Sequence, residues 1–172
     1  EFILKKLKKF NIKVVFDVGA NLGDWTKKAV GELKNPTVYT FEISSSAFSQ
    51  LTILFSNSSN IILNKIGLSD KEGSVRYKDY GTNSIVNTLV LESNFHDEGN
   101  PPEIKNTIVT TGDKYCNKNL IDEIDILKID VEGAEDQVLK GFHQKLEKGK
   151  IKIIQFEYGY INGNSNFLIG DL

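Results

Sequence analysis

Short apolar runs, each too brief for a helix and each closing on a polar residue or beside a glycine, constrain this chain more than any other feature. Lys13-Val14-Val15-Phe16-Asp17-Val18, Thr37 to Glu42, Ile61 to Ile66, Ile124 to Asp130 and Ile151 to Glu157 are rich in β-branched residues and read as buried strands. Helical spacing fills several of the gaps. Trp25, Ala29, Val30 and Leu33 lie between Asp24 and Lys34, ahead of Pro36. Phe48, Leu51, Leu54 and Phe55 follow a Ser44 or Ser45 cap. Val138, Leu139, Phe142 and Leu146 share one face between Gly133 and Leu146. Apolar strands alternating with helices predict an α/β fold: a mostly parallel sheet with helices on both faces, binding ligands at the carboxyl ends of its strands.

The middle of the chain breaks this rhythm. Ser69-Asp70-Lys71-Glu72-Gly73 is a turn cluster, and Val75 to Lys78 alternates as a hairpin arm does. Residues 79–103 are polar and rich in turn formers, and read as a loop or lid. At the other end, residues 1–12 form an amphipathic segment expected to dock Phe2, Ile3, Leu7 and Phe10 on the body of the protein.

With 172 residues, a single domain over 1–172 is expected. A net charge of −2 argues against nucleic-acid binding through a basic surface. One cysteine, Cys116, allows no internal disulfide and no cysteine-rich zinc site. No apolar stretch has the length of a membrane span or a signal sequence, and a cytoplasmic location is expected. The chain begins at Glu1 and has no methionine, which reads as a fragment without its natural start. Its cations are 20 lysines and one arginine, Arg76.

The candidate chemistry sits at the predicted strand ends. After the first strand, Gly19-Ala20-Asn21-Leu22-Gly23 makes a sharp turn into a helix whose first N–H groups are unpaired. The spacing is not the Gly-x-Gly-x-x-Gly of dinucleotide folds. Glu42 closes the second strand about 20 residues after this turn, where an acid can accept from both ribose hydroxyls; the bland alternative is a solvated strand-end carboxylate. Asp130, Glu132 and Glu135 straddle a strand–helix junction. Helix N-terminal charge accounts for Glu132 and Glu135 but not for Asp130, which closes an apolar strand. Glu157 closes the last strand in the same way. Two carboxylates without a third ligand are weak grounds for a metal, and none is expected.

Val15-Phe16-Asp17-Val18-Gly19-Ala20-Asn21-Leu22-Gly23, Phe41-Glu42, Leu127-Lys128-Ile129-Asp130-Val131-Glu132-Gly133-Ala134-Glu135 and Phe156-Glu157-Tyr158 together resemble the FkbM family of S-adenosylmethionine-dependent methyltransferases. The resemblance implies a Rossmann-like class I methyltransferase that methylates a hydroxyl of a sugar or natural product. It implies a cofactor loop of Asp17, Gly19, Ala20, Asn21 and Gly23, ribose binding by Glu42, and adenine near Gly67 and Leu68. Asp130 would lie by the methionine moiety. For a catalytic base, Asp130 and Glu132 come first; Glu157 could orient the acceptor, His96 is a lesser candidate, and His143 reads as surface. Thr111-Gly112-Asp113 resembles the family's Thr-Leu-Asp segment, with glycine in place of the apolar residue. The antiparallel edge hairpin that ends such folds is expected to be missing or truncated. The expected partner is a small-molecule or glycan hydroxyl acceptor. Rival readings are a nucleotide-dependent oxidoreductase, which the glycine spacing disfavours, and a non-catalytic binding module. Acceptor identity and oligomeric state are not legible at this level.

Overall fold

A computed structural model describes residues 2–81, 88, 89, 91 and 101–156. In chain order the first elements are α1 (Phe2–Leu7), β1 (Val14–Val18), α2 (Asp24–Glu32), β2 (Thr37–Phe41), α3 (Ser45–Leu54) and β3 (Ile61–Asn64). Next come β4 (Gly67–Leu68), β5 (Gly73–Asp79), β6 (Glu103–Thr110) and α4 (Gly112–Lys118). The last are β7 (Ile124–Ile129), α5 (Glu135–Gly141), α6 (His143–Glu147) and β8 (Ile151–Phe156).

Five strands form a wholly parallel sheet in the order β3-β2-β1-β7-β8. Every residue of β7 is buried, as a central strand covered on both faces requires. The two-residue period of β1 sends Val15 to one face and Phe16 to the other. On the first face, Val15, Val38 and Ile126 meet Leu4 of α1, Ala29 of α2 and Leu51 of α3. On the second, Phe16, Phe41 and Leu127 meet Tyr115 of α4, Val138 of α5 and Phe142. The strand order reverses between β1 and β7, so a crevice opens at the carboxyl ends of these strands.

A smaller sheet, β4-β6-β5, follows β3 in the chain. Here β5 and β6 pair antiparallel, with Val75 opposite Thr107, and β4 runs parallel to β6. The hairpin arm expected at Val75 to Lys78 thus has its partner in β6. That strand escaped sequence reading because its Glu103 to Asn106 half is exposed and polar. The expected 79–103 loop loses both ends to strand, since Asp79 pairs with Glu103. Within it, Thr88 bridges Lys78; residues 82–87, 90 and 92–100 lie outside the described set.

Three further expectations change. The helix over Gly133–Leu146 is two helices that meet at Phe142. In α1, Leu4 is the buried anchor, while Ile3 and Phe10 are about half exposed. Leu4 and Leu7, at i, i+3, pack on the core, while Ile3 stays at the solvent edge of that face. Finally, Gly112 is filled from outside, because a Cβ there would lie 2.3 Å from the Phe142 ring. Its neighbours clamp two helix starts: Thr111 Oγ1 accepts from Lys114 N at 3.2 Å, and Asp113 accepts from Gln144 N and Lys145 N at 2.8 and 3.0 Å. The expected loss of a terminal edge hairpin falls on residues 157–172, outside the described set.

Candidate functional site

The loop after β1 is built on left-handed backbone. Gly19, Asn21 and Gly23 have φ of 77°, 47° and 86°. Only glycine fits position 19, where a Cβ would stand 1.8 Å from the Asp130 carbonyl oxygen. That close approach draws the β1 and β7 ends together, and Asp130 N donates to Val18 O at 3.0 Å.

Glu42, just past β2, is 6% exposed and fixes the same loop. Its Oε2 accepts from Asn21 N at 2.8 Å and its Oε1 from Ser44 N at 2.7 Å. Each oxygen keeps one further lone pair. Burial pushes this carboxyl above its ordinary range, against the pull of the Ser44, Asn21 and Ile43 amides, and the Asp17 charge adds to the rise. A buried acid with spare acceptor capacity is suited to hydroxyl donors.

Across the crevice, the loop after β7 carries Asp130 and Glu132. Glu132 is held at a left-handed φ of 55°, unusual for a side chain of this size, and is followed by Gly133 at 102°. Glu135 holds the bend from below: its carboxylate accepts from the Val131 and Gly133 amides at 3.1 to 3.3 Å. Thr88 reaches over and donates to the Glu132 carbonyl at 2.6 Å.

Gly19, Asn21, Glu42, Gly67, Leu68, Asp130 and Glu132 line one cleft, with Ile43, Ile66 and Leu89 among its apolar walls. It holds about 590 Å³ of open space, solvent at its mouth included. Of the other expected cofactor residues, Asp17, Ala20 and Gly23 are buried and outside its wall. A Cβ on Gly23 would strike Phe55 and Leu51. Glu157 and His96 lie outside the described residues, and His143 is an exposed partner of Glu147. Among the described residues, no cluster of three or more metal-ligating side chains occurs.

One residue of the cleft's foundation had no role in the sequence reading. Lys128, in the middle of apolar β7, is 5% exposed. Its Nζ donates to Gly19 O at 2.9 Å and lies 3.0 Å from Asp17 Oδ1 and 3.4 Å from Asp130 Oδ2. The Asp17 Oδ1 contact is an ion pair outside hydrogen-bond geometry, so that oxygen makes no hydrogen bond, whereas Oδ2 accepts from Thr26 Oγ1 at 2.6 Å. Burial works against the ammonium, but Asp17 and Asp130 together outweigh it and raise its pKa. The signal was present in the sequence: a charge inside an apolar strand implies a buried partner.

This is a cleft at the carboxyl ends of parallel strands, with the buried Glu42 carboxylate on one wall and Asp130 and Glu132 on the other. A family model described as the methyltransferase FkbM domain matches residues 17–172. The chain belongs to the FkbM methyltransferase family. Among solved structures, it is similar to a crystal structure of methyltransferase FkbM from Methylobacillus flagellatus KT, with a TM-score of 0.53 and 16% identity. The match covers 87% of this chain and 36% of that one, so this chain spans about a third of that protein's length. At this identity the likeness shows the fold: a Rossmann-like α/β sheet. No curated protein matches the chain. No helix among the described residues is long and apolar enough to cross a membrane.

Proposed function

We propose that the chain is a single S-adenosylmethionine-dependent methyltransferase domain acting on a hydroxyl of a small-molecule or glycan acceptor. The observation that carries this reading is Glu42, a buried carboxylate with both oxygens oriented by backbone amides and both still able to accept, facing a cleft shared with Asp130. The residues fit the donor by chemistry. Glu42 would hold the two ribose hydroxyls, Ile43, Gly67 and Leu68 supply the apolar slot an adenine needs, and Asp130 offers negative charge to the cationic end. Asp17, Ala20 and Gly23 support this loop from behind, with Gly19 and Asn21 at its face.

S-adenosylmethionine would supply a methyl group on a sulfonium, whose C–S bond breaks as the acceptor oxygen forms its C–O bond, leaving S-adenosylhomocysteine. The chain's share is positioning and proton removal. Holding an acceptor hydroxyl near-attack, about 3 Å from the reacting carbon, accounts for a large part of such a rate. Asp130 or Glu132 takes the hydroxyl proton, and Glu157 orients the acceptor.

Calorimetry tests this reading. The chain should bind S-adenosylhomocysteine and not NAD, and Glu42→Ala should weaken binding by about 1.5–3 kcal/mol. Because Glu42 also holds two backbone amides, Glu42→Gln serves as the milder variant. Wild-type affinity in both variants would remove Glu42 from the ribose. NAD binding in place of S-adenosylhomocysteine would favour the oxidoreductase instead.

A further inference from the structure

A second cleft, with about 600 Å³ of open space including its mouth, adjoins the first. Ser69, Lys71, Arg76 and Gln137 supply its polar lining, and Leu89 stands in the wall of both clefts. The junction falls at the Glu132 end, because Thr88, next to Leu89, is the residue bonded to the Glu132 carbonyl. Ser69 follows directly on β4, which lines the first cleft, and Gln137 lies on α5, just after the loop of Asp130 and Glu132.

Two exposed cations, Arg76 and Lys71, stand together in the lining of this cleft. Among the described residues, no carboxylate pairs with Arg76 or Lys71. The neighbouring lysines do have partners: Lys105 pairs with Asp79 and Lys114 with Glu72. Of the acids nearest in sequence, Glu72 pairs with Lys114, and Asp70 Oδ1 lies 3.1 Å from the Ser69 hydroxyl, whose single proton it shares with Gln137. Gln137 Oε1 also faces that hydroxyl at 3.2 Å, which leaves its amide N–H donors without an acceptor among the described residues. Arg76 is the chain's single arginine, and a guanidinium offers a planar fork matched to carboxylate and phosphate. The first cleft, by contrast, has carboxylates at the adjoining end, and they repel an anion.

We propose that the second cleft is an anion subsite for the methyl acceptor: Arg76 and Lys71 hold a carboxylate or phosphate carried by the acceptor, while its hydroxyl reaches the Asp130–Glu132 end of the first cleft. This rests on the methyl-transfer reading above and narrows the acceptor to hydroxyl compounds bearing an anionic group. The opposed charges of the two clefts set the orientation, hydroxyl inward and anion outward.

The lone arginine makes the test direct, since its Nε–Hε group gives a single side-chain signal in a ¹⁵N–¹H spectrum of the full chain. With S-adenosylhomocysteine present, inorganic phosphate should shift that signal saturably, and sodium chloride at matched ionic strength should not. Lys71→Ala should weaken the response roughly tenfold, the scale of one charge-assisted contact. D-glucuronate and D-glucose 6-phosphate separate the two anion sources. At least one should bind where D-glucose does not, and should show an interligand NOE to the protons flanking sulfur in S-adenosylhomocysteine. A linear phosphate response, one equal to chloride's, or one unchanged in Lys71→Ala would overturn the subsite. Binding of neither sugar anion, or binding without the NOE, would overturn its role in presenting the acceptor. Failure of the methyl-donor reading would look different: no calorimetric binding of S-adenosylhomocysteine by the wild-type chain, with the Arg76 signal still answering to phosphate.

Discussion

Replacing Lys128 by methionine tests how the cleft is held together. The change keeps length and removes charge. Asp17, with no exposed surface, would lose the cation it pairs with, and Gly19 O would lose the donor now 2.9 Å away. Breaking a buried pair from one side costs about 3–5 kcal/mol, because the other charge stays buried and uncompensated. Asp130 adds little, since its side chain is 36% exposed and solvent screens it. For a chain of this size the loss corresponds to a fall in melting temperature of about 6–20 °C. Asp17→Asn/Lys128→Met should recover much of it, because the carboxamide oxygen of the introduced asparagine can still accept from Thr26. The pH dependence has a definite sign. The folded pKa of Lys128 is raised, so its stabilisation is complete below the ordinary lysine value and is lost only as pH climbs through the higher folded value. Urea unfolding of the four proteins of this cycle at pH 7 gives the numbers. A Lys128→Met protein within about 1 kcal/mol of wild type, or a double variant worse than the sum of the singles, would show that Asp17 and Lys128 do not stabilise one another.

Other consequences follow from the same structure. Gly112→Ala should destabilise by about 1–3 kcal/mol through overlap with Phe142, and Phe142→Leu should cost less in that background than in wild type, as read by thermal melts. Asp125 accepts from Lys13 N and Val14 N at 2.7 and 2.9 Å and pairs with Lys152 at 2.7 Å. Burial alone would raise its pKa, but Lys152 and the two amides outweigh burial and lower it. Asp125→Ala should therefore cost about 1–3 kcal/mol in urea melts at pH 7, and the difference from wild type should vanish as pH falls through the depressed Asp125 value. Asp130→Asn should weaken binding of S-adenosylmethionine while leaving S-adenosylhomocysteine almost unaffected, if charge rather than proton transfer is its main contribution; calorimetry with both ligands decides.

The parallel sheet was legible because its strands are short, predominantly apolar and β-branched, and the central β7 is buried on both faces. The glycine turn, Glu42 and Asp130 were legible as a set because parallel strands bring their carboxyl ends to one edge. What escaped had weak or mixed patterns. β6 has an exposed polar half, and α4 opens at a glycine whose missing side chain is replaced by Phe142, from a distant part of the chain. The break between α5 and α6 has its cause in Asp113, whose carboxylate caps α6 from another element. Lys128 carries a signal of the same kind as Asp130, a charge in an apolar strand, and its 5% exposure makes that signal the stronger of the two. Glu135 reads in sequence as helix N-terminal charge and in three dimensions as the clamp beneath the Asp130–Glu132 bend.

We infer that one cleft, walled by Glu42 and Asp130, takes the methyl donor. A crystal structure of the chain grown with saturating S-adenosylhomocysteine tests it most directly. The ribose hydroxyls are expected on the two Glu42 oxygens, the adenine against Ile43 and Leu68, and the sulfur at the Asp130 end. Ligand bound away from Glu42, or an empty cleft under saturating S-adenosylhomocysteine, would contradict it.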